Sequence, residues 1–370
     1  MRTRYLASRS FSPAATLTAL LLLLLGLMPP SVMGQQTSEG RYLGARESEI
    51  PEWFKESFLD FEEDVAEARD NGRRVLLYFY QNGCPYCAKL VEENFQDPKI
   101  RDYVQSRFDG IALNMWGDRE IVSIGGRDYT EKSFAEALKV QYTPTLLFLD
   151  EQGRVVLRLN GYYPPAKLRK ALRFAGEGKE KETTFANYML DSEAPRSGSL
   201  IGEDFFLDTR DLKSLIRGDG RYLAVYFEAP GCDDCAVMHQ RVLSDAPTRA
   251  LAKQMRSVQL NVYAEEPVTT VDGRRMTARD YARELGIAYT PSVVFFDDTG
   301  KEVHRIEGFL KTFHFQSSLA YVLEQGYDTQ PSFQRYISAR GEMLRAQGYD
   351  TDIWGYESAF PAEAQGKAID

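Results

Sequence analysis

Val75-Leu76-Leu77-Tyr78-Phe79-Tyr80-Gln81-Asn82-Gly83-Cys84-Pro85-Tyr86-Cys87-Ala88 decides the fold, because Leu223-Ala224-Val225-Tyr226-Phe227-Glu228-Ala229-Pro230-Gly231-Cys232-Asp233-Asp234-Cys235-Ala236 repeats it 148 residues later. Each stretch is a continuous apolar run of strand length, as in a sheet covered on both faces, followed by a turn and a C-x-x-C pair that opens a helix. The repeat extends outward. Gly72-Arg73 falls on Gly220-Arg221. After one deleted residue the shift becomes 147, and Tyr142-Thr143-Pro144 falls on Tyr289-Thr290-Pro291. Further on the register returns to 148, where Phe185 and Tyr188 meet Phe333 and Tyr336. Chance does not hold a register over that length, so the chain carries two homologous domains.

Both copies read as α/β. In the first, residues 52–69 carry a helical apolar pattern, 75–80 a strand, 85–94 a helix, 145–149 and 155–159 a strand hairpin, and 166–174 a closing helix. The second repeats this order with strands at 223–227, 293–296 and 303–306 and helices from 233 and over 313–323. The sum is a central mixed sheet flanked by helices in each domain. The boundaries expected are residues 1–34, 45–190, 195–345 and 346–370. The Phe185/Tyr188 match makes the end of the first domain a docked helix rather than a linker. Residues 346–370 lack a repeat partner and are expected to form a mobile tail.

Residues 1–34 read as a secretory signal peptide. Arg2, Arg4 and Arg9 supply its basic start, 14–28 an apolar run, and Pro29-Pro30 a break before a cleavage point ahead of Gln35. The run is shorter than the roughly 20 residues a membrane span needs. The expected location is therefore the periplasm, with no membrane attachment after cleavage. Removing these three positive charges from the net −9 leaves −12. Such acidity disfavours nucleic-acid binding.

The four cysteines are the candidate catalytic groups: Cys84 and Cys87, Cys232 and Cys235. Residues three apart on a helix are near enough for a disulfide. The first sulfur of each pair sits at a helix start, where free N–H groups favour a thiolate, the nucleophile of disulfide exchange. The second cysteine can resolve the mixed disulfide. As a mere staple, a four-residue loop gives only about 1.9 kcal/mol, against about 4.7 for a 100-residue loop. A zinc site shared by both pairs would need the two helix starts to face each other.

Strand, C-x-x-C, helix, then Thr-Pro opening a strand hairpin resembles the thioredoxin superfamily in both halves. The Gly-Cys-Pro-Tyr-Cys form and the insertions at 126–139 and 273–285 resemble periplasmic SoxW-like thioredoxins, and the tandem copies are similar to protein disulfide isomerases. The resemblance implies that Pro144 and Pro291 are cis and face the cysteine pairs. It makes Thr143 and Thr290 peptide contacts, with Pro85 and Tyr86 completing the substrate-binding residues. It implies a periplasmic thiol–disulfide oxidoreductase, a reductase or isomerase of protein disulfides, whose partners are protein thiols and a redox partner protein. No cofactor and no metal is implied. The competing class is a binding protein or metallochaperone that holds a client or soft metal with weak redox activity.

The chain departs from the family at Gly83 and Gly231, where thioredoxins carry Trp, and at Tyr78 and Tyr226, where they bury an Asp. Glu228 offers a substitute carboxylate, though a strand end normally leaves it solvated. His239, four residues after Cys235, could join that pair around a metal, but ordinary contacts are expected of it. Uncharged Pro85-Tyr86 with Lys89 nearby predicts Cys84 as the more reactive nucleophile. Asp233 and Asp234 predict a more reducing second pair.

Overall fold

The computed structural model describes residues 38–193, 198–358 and 361, so the segment read as a signal peptide lies outside it. Within it, the two repeats build two four-stranded mixed sheets. In the first domain, β1 (Arg74–Tyr80) runs parallel to β2 (Phe108–Asn114) and antiparallel to β3 (Thr145–Leu149), which pairs with β4 (Val155–Asn160). In the second, β5 (Leu223–Glu228) takes the place of β1, between β6 (Arg256–Asn261) and β7 (Ser292–Phe296), and β8 (Glu302–Glu307) forms the edge. The strand orders are β2-β1-β3-β4 and β6-β5-β7-β8. Among the described residues no helix is long and apolar enough to cross a membrane.

The central strands carry apolar side chains on both faces because helices cover both. Leu76 and Tyr78 enter one buried cluster, and Val75, Leu77 and Phe79 enter another on the opposite face. The closing helices Pro165–Gly176 and Thr312–Leu323 are equivalent end to end at the shift of 147. Phe185–Asp191 is a helix docked on the first domain, with Phe185 and Tyr188 both packed on Phe174. Its counterpart Phe333–Ala346 has 14 residues instead of 7.

Two expectations change. The helical pattern of 52–69 becomes a helix only from Phe61 to Asp70. Asp60 caps it by accepting the N–H groups of Glu62 and Glu63, and Leu59 stands at φ +63, which no helix continues through. The residues after 345, expected to be mobile, are tied down as far as the description reaches. Thr351–Asp352 pairs in parallel with Tyr42–Leu43, Arg41 holds Asp350, and Gln316 donates to Ser358. The cause is long range: two short segments some 300 residues apart supply each other's backbone partners, which no local pattern in either announces.

Candidate functional site

Each C-x-x-C pair sits where β1 or β5 ends. Gly83 and Gly231 turn the chain at φ +71 and +64, a conformation that costs a side-chain-bearing residue and explains glycine at the position before each pair. Cys84 and Cys232 then occupy the N-cap positions of helices Pro85–Lys89 and Asp233–Val237. The N–H of Cys87 donates to Cys84 Sγ at 3.0 Å, and that of Cys235 to Cys232 Sγ at 3.1 Å. Both pairs are disulfide-bonded. In each helix a π turn follows, over Leu90–Phe95 and Met238–Val242.

Thr143-Pro144 and Thr290-Pro291 are cis, and each lies against its own pair: the carbonyl oxygens of Thr143 and Thr290 are 3.6 Å from Cys84 Sγ and Cys232 Sγ. Sequence distance of nearly 60 residues is thus closed in the same way twice. Tyr78 and Tyr226 are buried on the strands that lead into the pairs, with hydroxyls that lack a hydrogen-bond partner among the described residues. Burial pushes both phenols well above their ordinary range.

The surroundings differ. In the first domain Cys84 is 4 % exposed and Cys87 fully buried. Tyr86 is buried too, with its ring edge-on to Trp354 and His314 and its hydroxyl accepting the N–H of Lys311 at 2.8 Å. Lys311 in turn donates to the Trp354 carbonyl and lies 3.9 Å from the centre of that indole. Cys84 therefore faces a cavity of about 290 Å³, closed partly by Tyr42 and Ile353 from the two paired segments and by Ile337 of the long C-terminal helix. In the second domain Cys232 is only half-buried and lines a groove of about 680 Å³. Accessibility thus runs against the order of reactivity expected from motif charges. Lys89, expected to assist Cys84, lies over Tyr162 and near Glu93.

Each domain lends the start of its closing helix to the other's site. Phe313 and His314 line the first cavity, and the equivalent Ala166 and Lys167 line the second groove. The contact between domains is likewise reciprocal. Tyr142 donates to the Arg305 carbonyl at 2.6 Å, while its repeat mate Tyr289 packs on Tyr163 beneath Lys167. Asn160 donates to its own repeat mate, Glu307, at 2.8 Å. At the third motif position, Tyr86 receives an N–H from Lys311. Its mate Asp234 faces Pro164, which has no N–H, and instead accepts the Tyr289 hydroxyl at 2.6 Å. Asp233 is exposed.

Glu228 is not solvated. It is 1 % exposed and meets His239 Nε2 at 3.0 Å and the Gln259 amide at 2.9 Å. His239 Nδ1 meets Glu203 at 2.8 Å, and Arg249 anchors Glu203. Both ring nitrogens are thus engaged by carboxylates rather than turned to the cysteines. Burial opposes the imidazolium, but the hydrogen bonds and charges of Glu228 and Glu203 outweigh it, so the His239 pKa is raised. Glu203 lies outside any motif, and only the unusual carboxylate at the end of β5 hinted at this network. The contributions of His314 and Lys167 across the domain boundary, and of Trp354, had no signal beyond the repeat itself.

A family model described as a thioredoxin-like domain matches residues 61–176 and again 210–323, together more than half of the chain. A curated relative, the thiol:disulfide interchange protein DsbD of Pseudoalteromonas atlantica, is 24% identical over 140 residues, which cover 37% of this chain and 22% of the relative. The chain thus spans about a fifth of that relative's length. Among solved structures, a thioredoxin-fold protein from Helicobacter pylori is 26% identical, covering 34% of this chain and 86% of its own, with a TM-score of 0.28. The first two thioredoxin domains of Saccharomyces cerevisiae Eps1p cover 67% of this chain and 88% of their own at 15% identity and a TM-score of 0.24.

Proposed function

The chain belongs to the thioredoxin-like domain family, and from that premise we propose that it is a thiol–disulfide oxidoreductase with two centres, working in the periplasm as a reductase or isomerase of disulfides after loss of residues 1–34. The observation that carries this reading is the same geometry built twice: a helix-capping sulfur 3.6 Å from the carbonyl before a cis proline. Cys84 and Cys232 attack as thiolates, each stabilised by the N–H three residues on and by the helix start. Cys87 and Cys235 then displace the bound thiol and close the intramolecular disulfide. The backbone of Thr290 holds the incoming chain at the second centre, with Pro291 setting its direction; at the first, Thr143, Pro85 and Tyr86 line the cavity at Cys84, with Pro144 following the Thr143 carbonyl that meets the sulfur. Protein thiols are the clients of the open second centre, and a redox partner protein resets the centres. The name of the interchange protein that the chain resembles over 140 residues agrees with this chemistry.

The test is reduction of insulin disulfides by the full chain with dithiothreitol as electron source. Activity above the uncatalysed rate is expected, and its loss when Cys84 and Cys232 are both changed to Ser. A rate equal to that of the doubly changed chain overturns the reading.

A further inference from the structure

The first centre is enclosed, yet its enclosure is not filled. The cavity of about 290 Å³ that holds Cys84 is near the lower end of small-ligand sites. Two of its lining side chains carry a buried polar atom without a hydrogen-bond partner: Thr143 Oγ1, on a residue more than nine-tenths buried, and His314 Nδ1. Buried polar atoms are nearly always paired, so two orphans within the wall of one cavity beside a redox sulfur set that wall apart from the rest of the core. Burial alone brings the His314 pKa down to about 4, so the ring is neutral at pH 7 and offers a hydrogen bond rather than a charge. The walls narrow the approach to Cys84. Tyr42, Ile337 and Ile353 stand across the face of Cys84, and Trp354 covers Tyr86. Among the described residues the second centre has no such lid, because its equivalent of the C-terminal helix stops at Asp191.

We propose that the first centre exchanges disulfides with a low-molecular-weight thiol rather than with a polypeptide, in the cavity walled by Thr143 and by His314, which the second domain lends. This rests on the oxidoreductase reading above. In the forward step the Cys84 thiolate attacks one sulfur of the small disulfide, whose S–S bond breaks and releases one thiolate. Cys87 then attacks Cys84 Sγ, the mixed disulfide breaks and the second thiolate leaves. The two leaving thiolates take up the protons lost by Cys84 and Cys87, and two electrons pass from the dithiol to the small disulfide. Run backwards, the same step reduces the centre at the expense of a small thiol.

The experiment uses two full-length chains, one with Cys232→Ser and Cys235→Ser, the other with Cys84→Ser and Cys87→Ser. Each is reduced, then mixed with 2-hydroxyethyl disulfide or with insulin, and loss of its thiols is followed. The preference for the small disulfide over insulin is expected to be at least tenfold greater at the first centre than at the second. His314→Leu, which keeps bulk and removes the nitrogen, should slow the first centre's reaction with the small disulfide about fivefold, and His314→Gln should recover part of that loss. If the Leu variant does not fold, the preference ratio of the unmodified site still decides. Equal preferences at the two centres overturn this proposal and leave the oxidoreductase reading standing. Failure of both centres with both disulfides sinks that reading first.

Discussion

The two centres are near-copies at the scale of the motif and unlike at the scale of the domain. In both, a glycine turn, a helix-capping cysteine and a cis proline place sulfur and carbonyl at the same separation. What differs is what the rest of the chain lays over them. The first is roofed by a helix twice as long as its repeat mate and by two short paired strands, at 42–43 and 351–352. The second opens into a groove whose far wall is the other domain's closing helix. A duplicated site thus diverges in access without losing its local geometry, because access is set by segments outside the motif.

The largest expected effect comes from loosening the roof. Trp354 packs edge-on to Tyr86 and carries Lys311 on its face. Trp354→Ala removes an aromatic anchor, and at 1.4 kcal/mol per decade a loss of about 1.4–3 kcal/mol raises opening roughly ten- to hundredfold. Alkylation of reduced Cys84 by a bulky maleimide should rise by that factor, with Cys232 unchanged. A rise at Cys232 alone would mean that the roof lies elsewhere.

A smaller effect, of opposite sign at the two centres, follows from two histidines. His314, held near 4 by burial, stabilises the folded roof fully above its unfolded pKa of about 6.5, and that contribution is lost as pH falls toward 4. His239, whose folded pKa is raised, contributes fully below about 6.5 and loses that contribution as pH climbs through the raised value. Hydrogen exchange, corrected for intrinsic rates, should therefore show residues 350–358 less protected at pH 5 than at pH 7.5. The helix bearing His239 should show the reverse. His314→Leu should flatten the first response and Glu228→Gln the second.

The third effect is electrostatic. Asp233 and Asp234 flank the second pair, although Asp234 is partly satisfied by Tyr289. Burial of Cys84 also disfavours a thiolate, which narrows the gap expected from the motifs alone. Replacing both aspartates by Asn should still raise the second centre's potential, by roughly 30 mV for each pKa unit the thiolate regains. Equilibration with glutathione in the chain carrying Cys84→Ser and Cys87→Ser reads it directly. An unchanged or lower potential removes the carboxylates as a cause.

The smallest effect separates the tyrosines from a proton-handling role. Tyr78 and Tyr226 bury hydroxyls without partners among the described residues. Tyr78→Phe and Tyr226→Phe should therefore leave stability within about 0.5 kcal/mol or improve it, where loss of a paired hydroxyl costs about 1 kcal/mol. Urea unfolding at neutral pH measures the difference. A loss above 1 kcal/mol would show that the hydroxyls work.

The motif, its repeat and the strand-opening Thr-Pro pairs were legible in the sequence because each depends on local backbone demands: φ at Gly83, a cap at Cys84, a proline at a strand's first residue. The mixed sheets were legible for the same reason, from apolar runs such as 75–80. The roof was not. Thr351–Asp352 is a two-residue strand whose partner lies some 300 residues away, so neither segment shows a period. Glu228 read as solvated because strand ends usually are, and its burial depends on Glu203 and His239 arriving from separate segments. The reach of His314 into the first site depends on how two domains pack, which a repeat reveals only after one interface contact is known.

Unequal access at near-identical centres is measured by alkylating the reduced, otherwise unmodified chain with iodoacetamide and with a bulky maleimide, and mapping Cys84 and Cys232 by mass spectrometry. The larger reagent should discriminate: Cys232 reacts at least tenfold faster than Cys84 with the maleimide, and the ratio shrinks with iodoacetamide. Equal rates with the maleimide, or Cys84 reacting first, would contradict it.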